Sequence, residues 1–492
     1  MIESLRNTAA KIFAASLYKL FPNSVLKDYR VNNIGFYYDF SFPYPDNSAL
    51  LDLLEGQMRK YVKEEFEIKS FEMLAQNAKE YFDYLKLDKS KIENKEGLLS
   101  FFQMDGFIDV AKGILLENSK YLKFFKIFKL EKIEKDTFRV YAVVSEDKNS
   151  LKKQINITED YKNNSHLVLG EKFLFFKKED NKIFYYPAGY LFRENLKEFF
   201  ISRLKFSGFR FVDSPSKDKL KWPLDLYKEK NLNKLAQIDH RNFENYDFSL
   251  FTYDRSSSDI LYIFCKEKEI SHEVNSFLIF IDEIFNILRL SYNITLKIPK
   301  IKGFQKYTEI FKIALKNRKI LFEVEKQKKN IDKIEVEWNV KDGIGRFWKS
   351  AFLTMKKENN LAILQGSSFF SLERIAALVL EGNKGELPFF LYPYYLKILV
   401  QNDDCLEYAN KIESLMENEN IRVNLEVNAD IRKGVREAII ENIPYVAVIG
   451  EKEKQGSYLS FRKMTDKTVK KIKVDEFTSL IKSKVRSGFE SK

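Results

Sequence analysis

Apolar residues along this chain follow two rhythms, and each switch between them marks an element. Leu5, Ala9, Ile12, Phe13, Leu17 and Leu20 recur at three- and four-residue intervals. This predicts an amphipathic helix over roughly residues 3–20, ended by Pro22. The next stretch, "NIGFYYDFSF", alternates and is loaded with aromatics, as a half-buried strand is. Helical period returns in "SALLDLLEGQMRKYVKEEF". Further on, "DKNSLKKQINITEDYKNNS" is polar and rich in Asn and Lys, which predicts a linker.

A second unit begins near Val168. There "YYPAGYLFRENLKEFFISRLKFSGFRFVDSP" predicts strand, turn, helix and strand, with Leu191, Phe192, Leu196, Phe199, Phe200 and Leu204 on one helix face. "DILYIFCKEKEISHEVNSFLIFIDEIFNIL" predicts a strand and a long helix. "KIEVEWNV" and "FWKSAFLTM" predict strands, and "FFSLERIAALVLE" a helix. From about Pro388 the rhythm changes. The short strands "YYLKILV", "IRVNLEV", "YVAVIG" and "SYLSFRK" alternate with the helices "CLEYANKIESLME", "ADIRKGVREAIIEN" and "VDEFTSLIKSKV". That order predicts a compact α/β domain of roughly 100 residues with a largely parallel sheet. The fold class is thus a multidomain mixture of α+β and α/β, divided at 1–150, 151–384 and 385–492. Three domains is also what 492 residues suggest at ~150 per domain.

Composition narrows the function classes. With 45% hydrophobic residues, large cores can form. Gly numbers only 18, and neither GxGxxG nor GxxxxGK[ST] occurs, so a Gly-rich phosphate cradle is not expected. The net charge of +12 is spread through Lys-rich helices. It suits a polyanionic partner, although a coding sequence biased toward Lys would give the same count. Cys265 and Cys405 imply no disulfide framework and a reducing compartment. His166, His240 and His272 lack the close spacing of a zinc site. Lys11 splits the N-terminal apolar stretch, so no secretory signal is read there. "VNSFLIFIDEIFNILRL" is cut by Asp282 and Glu283, short of the ~18 apolar residues of a membrane span. A soluble cytoplasmic protein with no membrane association is expected.

Read in order, these units resemble the threonyl-tRNA synthetase family, without the small N-terminal ubiquitin-like domain of many members. "FYYDF" after "RNTAAKIFAASLYKLFP" is similar to the start of that family's editing domain. "YYPAGYLFRENL…FVDSP", with Gly189, Arg193, Glu194 and Pro215, resembles the first class II motif, and "FFSLERIAAL" resembles the third. The tail is similar to the anticodon-binding domain. The resemblance implies an editing-like α+β unit, a class II antiparallel sheet with helices, and a C-terminal α/β anticodon-binding-like domain.

It also exposes what this chain lacks. The family's editing helix carries HxxxH, followed by a CxGxH-like segment; here the matching positions are Asn7 and Lys11, then Ala111 and Leu115, with Gly113 kept. A lysine is a poor general base unless its pKa falls strongly. The family's zinc takes one Cys and two His. The Cys segment is missing, and the His positions fall on Tyr262 and Gln365. In the second motif Tyr253 stands where an ATP-gripping arginine belongs, with Arg255 two residues on. Lys333 and Arg374 match a family lysine and the third-motif arginine. Arg255, Lys333 and Arg374 are therefore vestigial catalytic candidates, and no zinc or ATP is expected. For anticodon bases the family uses an Asn, a Glu and an Arg, matched by Asn428, Glu453 and Arg462. Arg432, Lys433 and Arg436 follow as phosphate contacts.

Together these features predict a non-catalytic threonyl-tRNA synthetase-like protein that binds tRNA or another structured RNA in translation or its regulation. It would be a homodimer through its first motif, with a translation-machinery protein as a further possible partner. Two other readings stay open: a structural ribonucleoprotein or ribosome-associated scaffold, and a divergent ATP-dependent aminoacyl ligase built on Arg255, Lys333 and Arg374.

Overall fold

The first helix, Ile2–Leu20, buries one face as its period requires. Phe13 on that face lies 5.5–5.9 Å from the rings of Phe36, Tyr38 and Phe40. These three are the inward residues of the strand Gly35–Ser41, and the alternate residues point the other way. There Arg139 holds Asp39 in a bidentate pair at 2.7 and 2.8 Å and stacks on Tyr37 at 4.3 Å. The strand belongs to an antiparallel sheet ordered Val25–Val31, Gly35–Ser41, Thr137–Ser145, Phe124–Glu134. A second antiparallel sheet joins Lys69–Leu74, Leu98–Met104 and Phe107–Val110. The computed structural model describes residues 2–488 except 42–48, 86–90, 135, 180–181, 214–220, 244–248, 254–255, 301–302, 328–330, 332, 359–360, 428–429 and 467.

The polar stretch read as a linker is a helix, Lys148–Asn164. Asp147 starts it by accepting the N–H groups of Asn149 and Ser150 at 2.9 Å. Only Thr158 is buried along it, so the helical period carries almost no hydrophobic signal. Within this helix the chain divides into two compact units, residues 1–162 with 344–346 and residues 163–343 with 347–492.

The second unit is built on an eight-stranded sheet. In spatial order its strands are Arg210–Phe211, Lys234–Arg241, Ser256–Lys266, Leu361–Ser367, Phe347–Glu358, Ile334–Lys341, Tyr292–Ile298 and Phe322–Lys326. The central six run antiparallel, and a parallel strand is added at each edge. Helices Pro187–Phe206, Ile270–Ile287 and Leu372–Gly382 supply the facing core. Asp282, which interrupts the apolar run of the second of these, accepts from the Tyr292 hydroxyl at 2.5 Å and from Arg318 at 2.7 and 3.0 Å. No helix among the described residues is long and apolar enough to cross a membrane.

The tail forms a five-stranded sheet ordered Val423–Val427, Leu396–Val400, Tyr445–Ile449, Leu459–Lys463, Lys470–Ile472. The expectation of a largely parallel sheet needs correction: the first three strands are parallel and the last two antiparallel. Helices Leu406–Asn418 and Ile431–Ile440 are long enough to carry the chain back for parallel pairing. After Tyr445–Ile449 comes only the six-residue helix Glu451–Gly456, and Ser457 then takes a left-handed conformation at φ 52°. That short turn returns the next strand antiparallel.

Candidate nucleic-acid interface

One face of the tail sheet gathers most of the predicted RNA contacts. Leu399 and Val446 pack against Ala438, which places the helix Ile431–Ile440 over that face. Val446 is directly opposite Arg462 across the antiparallel pair, and Val448 opposite Ser460. Directly opposed residues share a face, so Arg462 and Ser460 project on the helix's side. Glu453 joins them: its carboxylate accepts from Ser460 Oγ at 2.7 Å and from the Gly450 N–H at 3.1 Å. The Arg462 Nε is buried and has no hydrogen-bond partner among the described residues. Arg432, Lys433 and Arg436 stand exposed on the outer side of the helix, and Lys433 lies 3.6 Å from Glu437. Asp430 caps the helix by accepting from the N–H groups of Arg432 and Lys433. Asn428 lies outside the described residues.

A buried lysine that sequence reasoning missed fixes this helix to the sheet. Lys397 points to the same face and reaches Glu426, Glu437 and Glu441 at 3.1, 3.5 and 3.2 Å. Burial works against its charge, but the carboxylates of Glu426 and Glu441 outweigh it and raise its pKa. The signal was a lysine inside the apolar run "YYLKILV".

In the eight-stranded sheet, Tyr262 and Gln365 are direct partners on neighbouring strands. The two positions that the family fills with zinc-binding histidines are therefore brought together. A buried phenol and an amide do not supply the thiolate and imidazole donors of such a site, and the described residues contain no metal-binding cluster. Arg374 is buried and turned inward. Its Nε donates to the Phe251 carbonyl at 2.9 Å, and a terminal nitrogen donates to the Lys349 carbonyl at 2.7 Å. Phe243, Trp348 and Phe370 lie 4.7–5.3 Å from its guanidinium, and Phe251 stacks on Trp348 at 4.5 Å and 4°. Lys333 pairs with Glu335 at 3.3 Å, and Lys349 bonds Glu335 and Glu337 at 2.5 Å. The structure thus joins Lys333 to Arg374 through Lys349. Tyr253 packs edge-on against Tyr185; Arg255 and Pro215 lie outside the described residues. Arg193 donates to Glu373 at 2.8 Å, to Glu194 at 2.7 Å and to Ser257 at 2.8 Å.

In the first unit, Lys11 is 1% exposed and donates to Asp109 at 2.7 Å. Lys91 and the Tyr38 hydroxyl converge on the same carboxylate at 2.7–3.1 Å. A cavity of about 370 Å³ opens beside Lys91 and Asp109. Asn7 is buried one helical turn before Lys11. Ala111 is buried and Leu115 half-buried. Asp109 and Lys91 were not singled out in the sequence, although a charged residue inside "GFIDVA" was a usable signal.

Comparison with known proteins fits this geometry. Residues 396–484 match the family model described as an anticodon binding domain. Over 98% of its length the chain is 22% identical to a threonine–tRNA ligase of Clostridium novyi, covering 88% of that protein. A threonine–tRNA ligase of Clostridioides difficile is also 22% identical, over 99% of this chain and 88% of its own length. Among solved structures, the RNA-binding domain of threonyl-tRNA synthetase from Cryptosporidium parvum Iowa II superposes with a TM-score of 0.56 at 20% identity. That match covers 65% of this chain and 98% of the other. An Aeropyrum pernix protein described as a threonyl-tRNA synthetase gives a TM-score of 0.51 at 12% identity, over 67% of this chain and 98% of its own. A central antiparallel sheet followed by an anticodon-binding domain defines an aminoacyl-tRNA synthetase-like protein. The particular proteins it is similar to, over nearly its whole length, are threonine–tRNA ligases.

Proposed function

We propose that this protein binds tRNA through residues 385–492, performs no aminoacylation, and acts in translation or its regulation in the cytoplasm. The observation that carries this reading is the contrast between two arginines. Arg374, at the family's nucleotide-contacting position, is spent on two carbonyls and a set of aromatic rings. Arg462, at the anticodon position, keeps a buried Nε that finds no partner among the described residues. A guanidinium with open donors suits the edges of single-stranded bases, whereas one already bonded does not suit a phosphate. The residues at the zinc and second-motif positions favour the same reading, with neither zinc nor ATP as cofactor.

Crosslinking in cells, with sequencing of the bound RNA, tests it. Recovery of one tRNA family, lost in a Glu453→Ala/Arg462→Ala variant, is the expected result. Recovery of no RNA would favour a protein-binding scaffold, and ATP–pyrophosphate exchange with any amino acid would restore an enzyme. The protein is further proposed to be a homodimer, which would cover Tyr190 and Phe206 of the helix Pro187–Phe206, the latter 87% exposed. Light scattering should return twice 58.2 kDa.

A further inference from the structure

One edge of the eight-stranded sheet ends in a β-α-β unit that has no part in the proposed RNA face. Strand Tyr292–Ile298, helix Gln305–Asn317 and strand Phe322–Lys326 follow in order, and the strands pair in parallel from Ile294 with Phe322 to Ile298 with Lys326. In such a unit the strand C-termini and the helix N-terminus open to the same side. The unpaired N–H groups of the first helical turn point at whatever binds there. A cleft of about 490 Å³ lies at that place, lined in part by Ile298, Lys300, Phe304, Thr308 and Lys326.

Two observations beyond the helix end point to a ligand. Lys300 and Lys326 line the cleft and have no ion pair among the described residues, while Lys312, also at its wall, is 2.7 Å from Glu309. Thr308 is the second. It is only 5% exposed, lines the cleft, and its Oγ1 has no hydrogen-bond partner among the described residues. Elsewhere helical hydroxyls bond back to the preceding turn: Thr8 to the Ser4 carbonyl, Ser16 to that of Ile12 and Thr478 to that of Val474, at 2.8–2.9 Å. Thr308 does not, and no side chain caps its helix. A buried hydroxyl left unpaired costs stability unless something completes it.

We propose that this cleft binds a phosphate group, held by the first-turn N–H groups of the helix, the Thr308 hydroxyl and the ammonium groups of Lys300 and Lys326. Donors that converge from a strand end, a helix end and a buried side chain suit an anion with acceptor oxygens on several sides. The phosphate belongs either to an RNA backbone or to a free phosphate compound. The site is separate from the anticodon face and stands or falls without it.

The test uses the full chain, titrated calorimetrically with inorganic phosphate and, by fluorescence anisotropy, with a short mixed-sequence RNA. Saturable phosphate binding is expected. It should weaken about tenfold in Lys300→Gln/Lys326→Gln and severalfold in Thr308→Val, which keeps the side chain's shape, and be unchanged in Arg462→Ala. Near-ultraviolet circular dichroism checks that each variant is folded. RNA affinity that falls in step with phosphate affinity in the lysine variant assigns the phosphate to an RNA backbone. Unchanged RNA affinity with lost phosphate binding assigns it to a free compound. No phosphate binding by the natural protein, or equal binding by both variants, overturns the proposal.

Discussion

Lys11 and Asp109 show what a buried charge demands of its neighbours. Burial drives the Lys11 pKa down, and Asp109 draws it back only in part, leaving it at about 8. Burial would push Asp109 up, but the charges of Lys11 and Lys91 outweigh it and hold the carboxyl at about 2. The two groups act on stability with opposite signs. Asp109 has a folded pKa below its unfolded value near 3.9, so its contribution is full above about pH 4 and is lost as pH falls toward 2. Lys11 is charged in both states below pH 8 and carries its burial cost there in full. Between pH 8 and about 10 only the unfolded state keeps that proton, so stability rises. Asp109→Asn should therefore cost about 3–5 kcal/mol at pH 7, because it leaves two ammonium groups without their counter-charge. Lys11→Met leaves Asp109 paired with Lys91; it should cost far less and flatten the rise above pH 8. Hydrogen exchange across Ile2–Leu20 in graded urea reads both effects, and an Asp109→Asn protein as stable as its parent would contradict this account. Lys11 was visible in the sequence as a polar break in an apolar stretch. Asp109 stood out likewise as a charge inside "GFIDVA", but that the two pair does not show, because a contact across ninety-eight positions leaves no periodic trace.

At the scale of elements, Gly189 shows why a motif residue can be structural. A Cβ there would lie 1.7 Å from the Phe175 carbonyl oxygen, which also accepts the Tyr186 N–H at 2.9 Å. Gly189→Ala must push the helix Pro187–Phe206 off that carbonyl and is expected to cost about 2–4 kcal/mol. All three tryptophans, Trp222, Trp338 and Trp348, belong to the same unit, so urea unfolding followed by tryptophan fluorescence measures the loss. Gly56→Ala, where the added carbon meets nothing within 4 Å, should instead stabilise its helix by up to about 1 kcal/mol. Elements with strong apolar period were legible from sequence, including Ile270–Ile287 despite its buried Asp282. Lys148–Asn164 was not, because one buried residue cannot mark a face. Strand direction in the tail was misjudged at Glu451–Gly456, whose six residues bury nothing. Within the site, Glu453 and Arg462 were singled out through the family resemblance alone, since a strand or hairpin signal assigns no role to a charged side chain. Lys397 stood out inside "YYLKILV", but its carboxylates could not be assigned to it, since their meeting depends on how the helix lies over the sheet.

For the molecule as a whole, the +12 charge and the anticodon face make separable demands on RNA binding. Contacts to phosphate release counterions, and each lowers the slope of log affinity against log salt by about 0.7 for a single strand. Contacts to base edges change affinity without changing that slope. The exposed cations Arg432, Lys433 and Arg436 belong to the first kind in the proposed mode, and Arg462 to the second. Replacing the three cations by Gln should therefore flatten the slope by about 2 and weaken all RNAs alike. Arg462→Ala should leave the slope nearly intact while costing about 1–3 kcal/mol against the preferred anticodon and much less against unrelated RNA. Binding measured over a salt series with a cognate and a scrambled anticodon stem-loop separates the two. If Arg462→Ala flattened the slope and lost no discrimination, this arginine would be one more phosphate contact, and anticodon reading would have to come from elsewhere on the face.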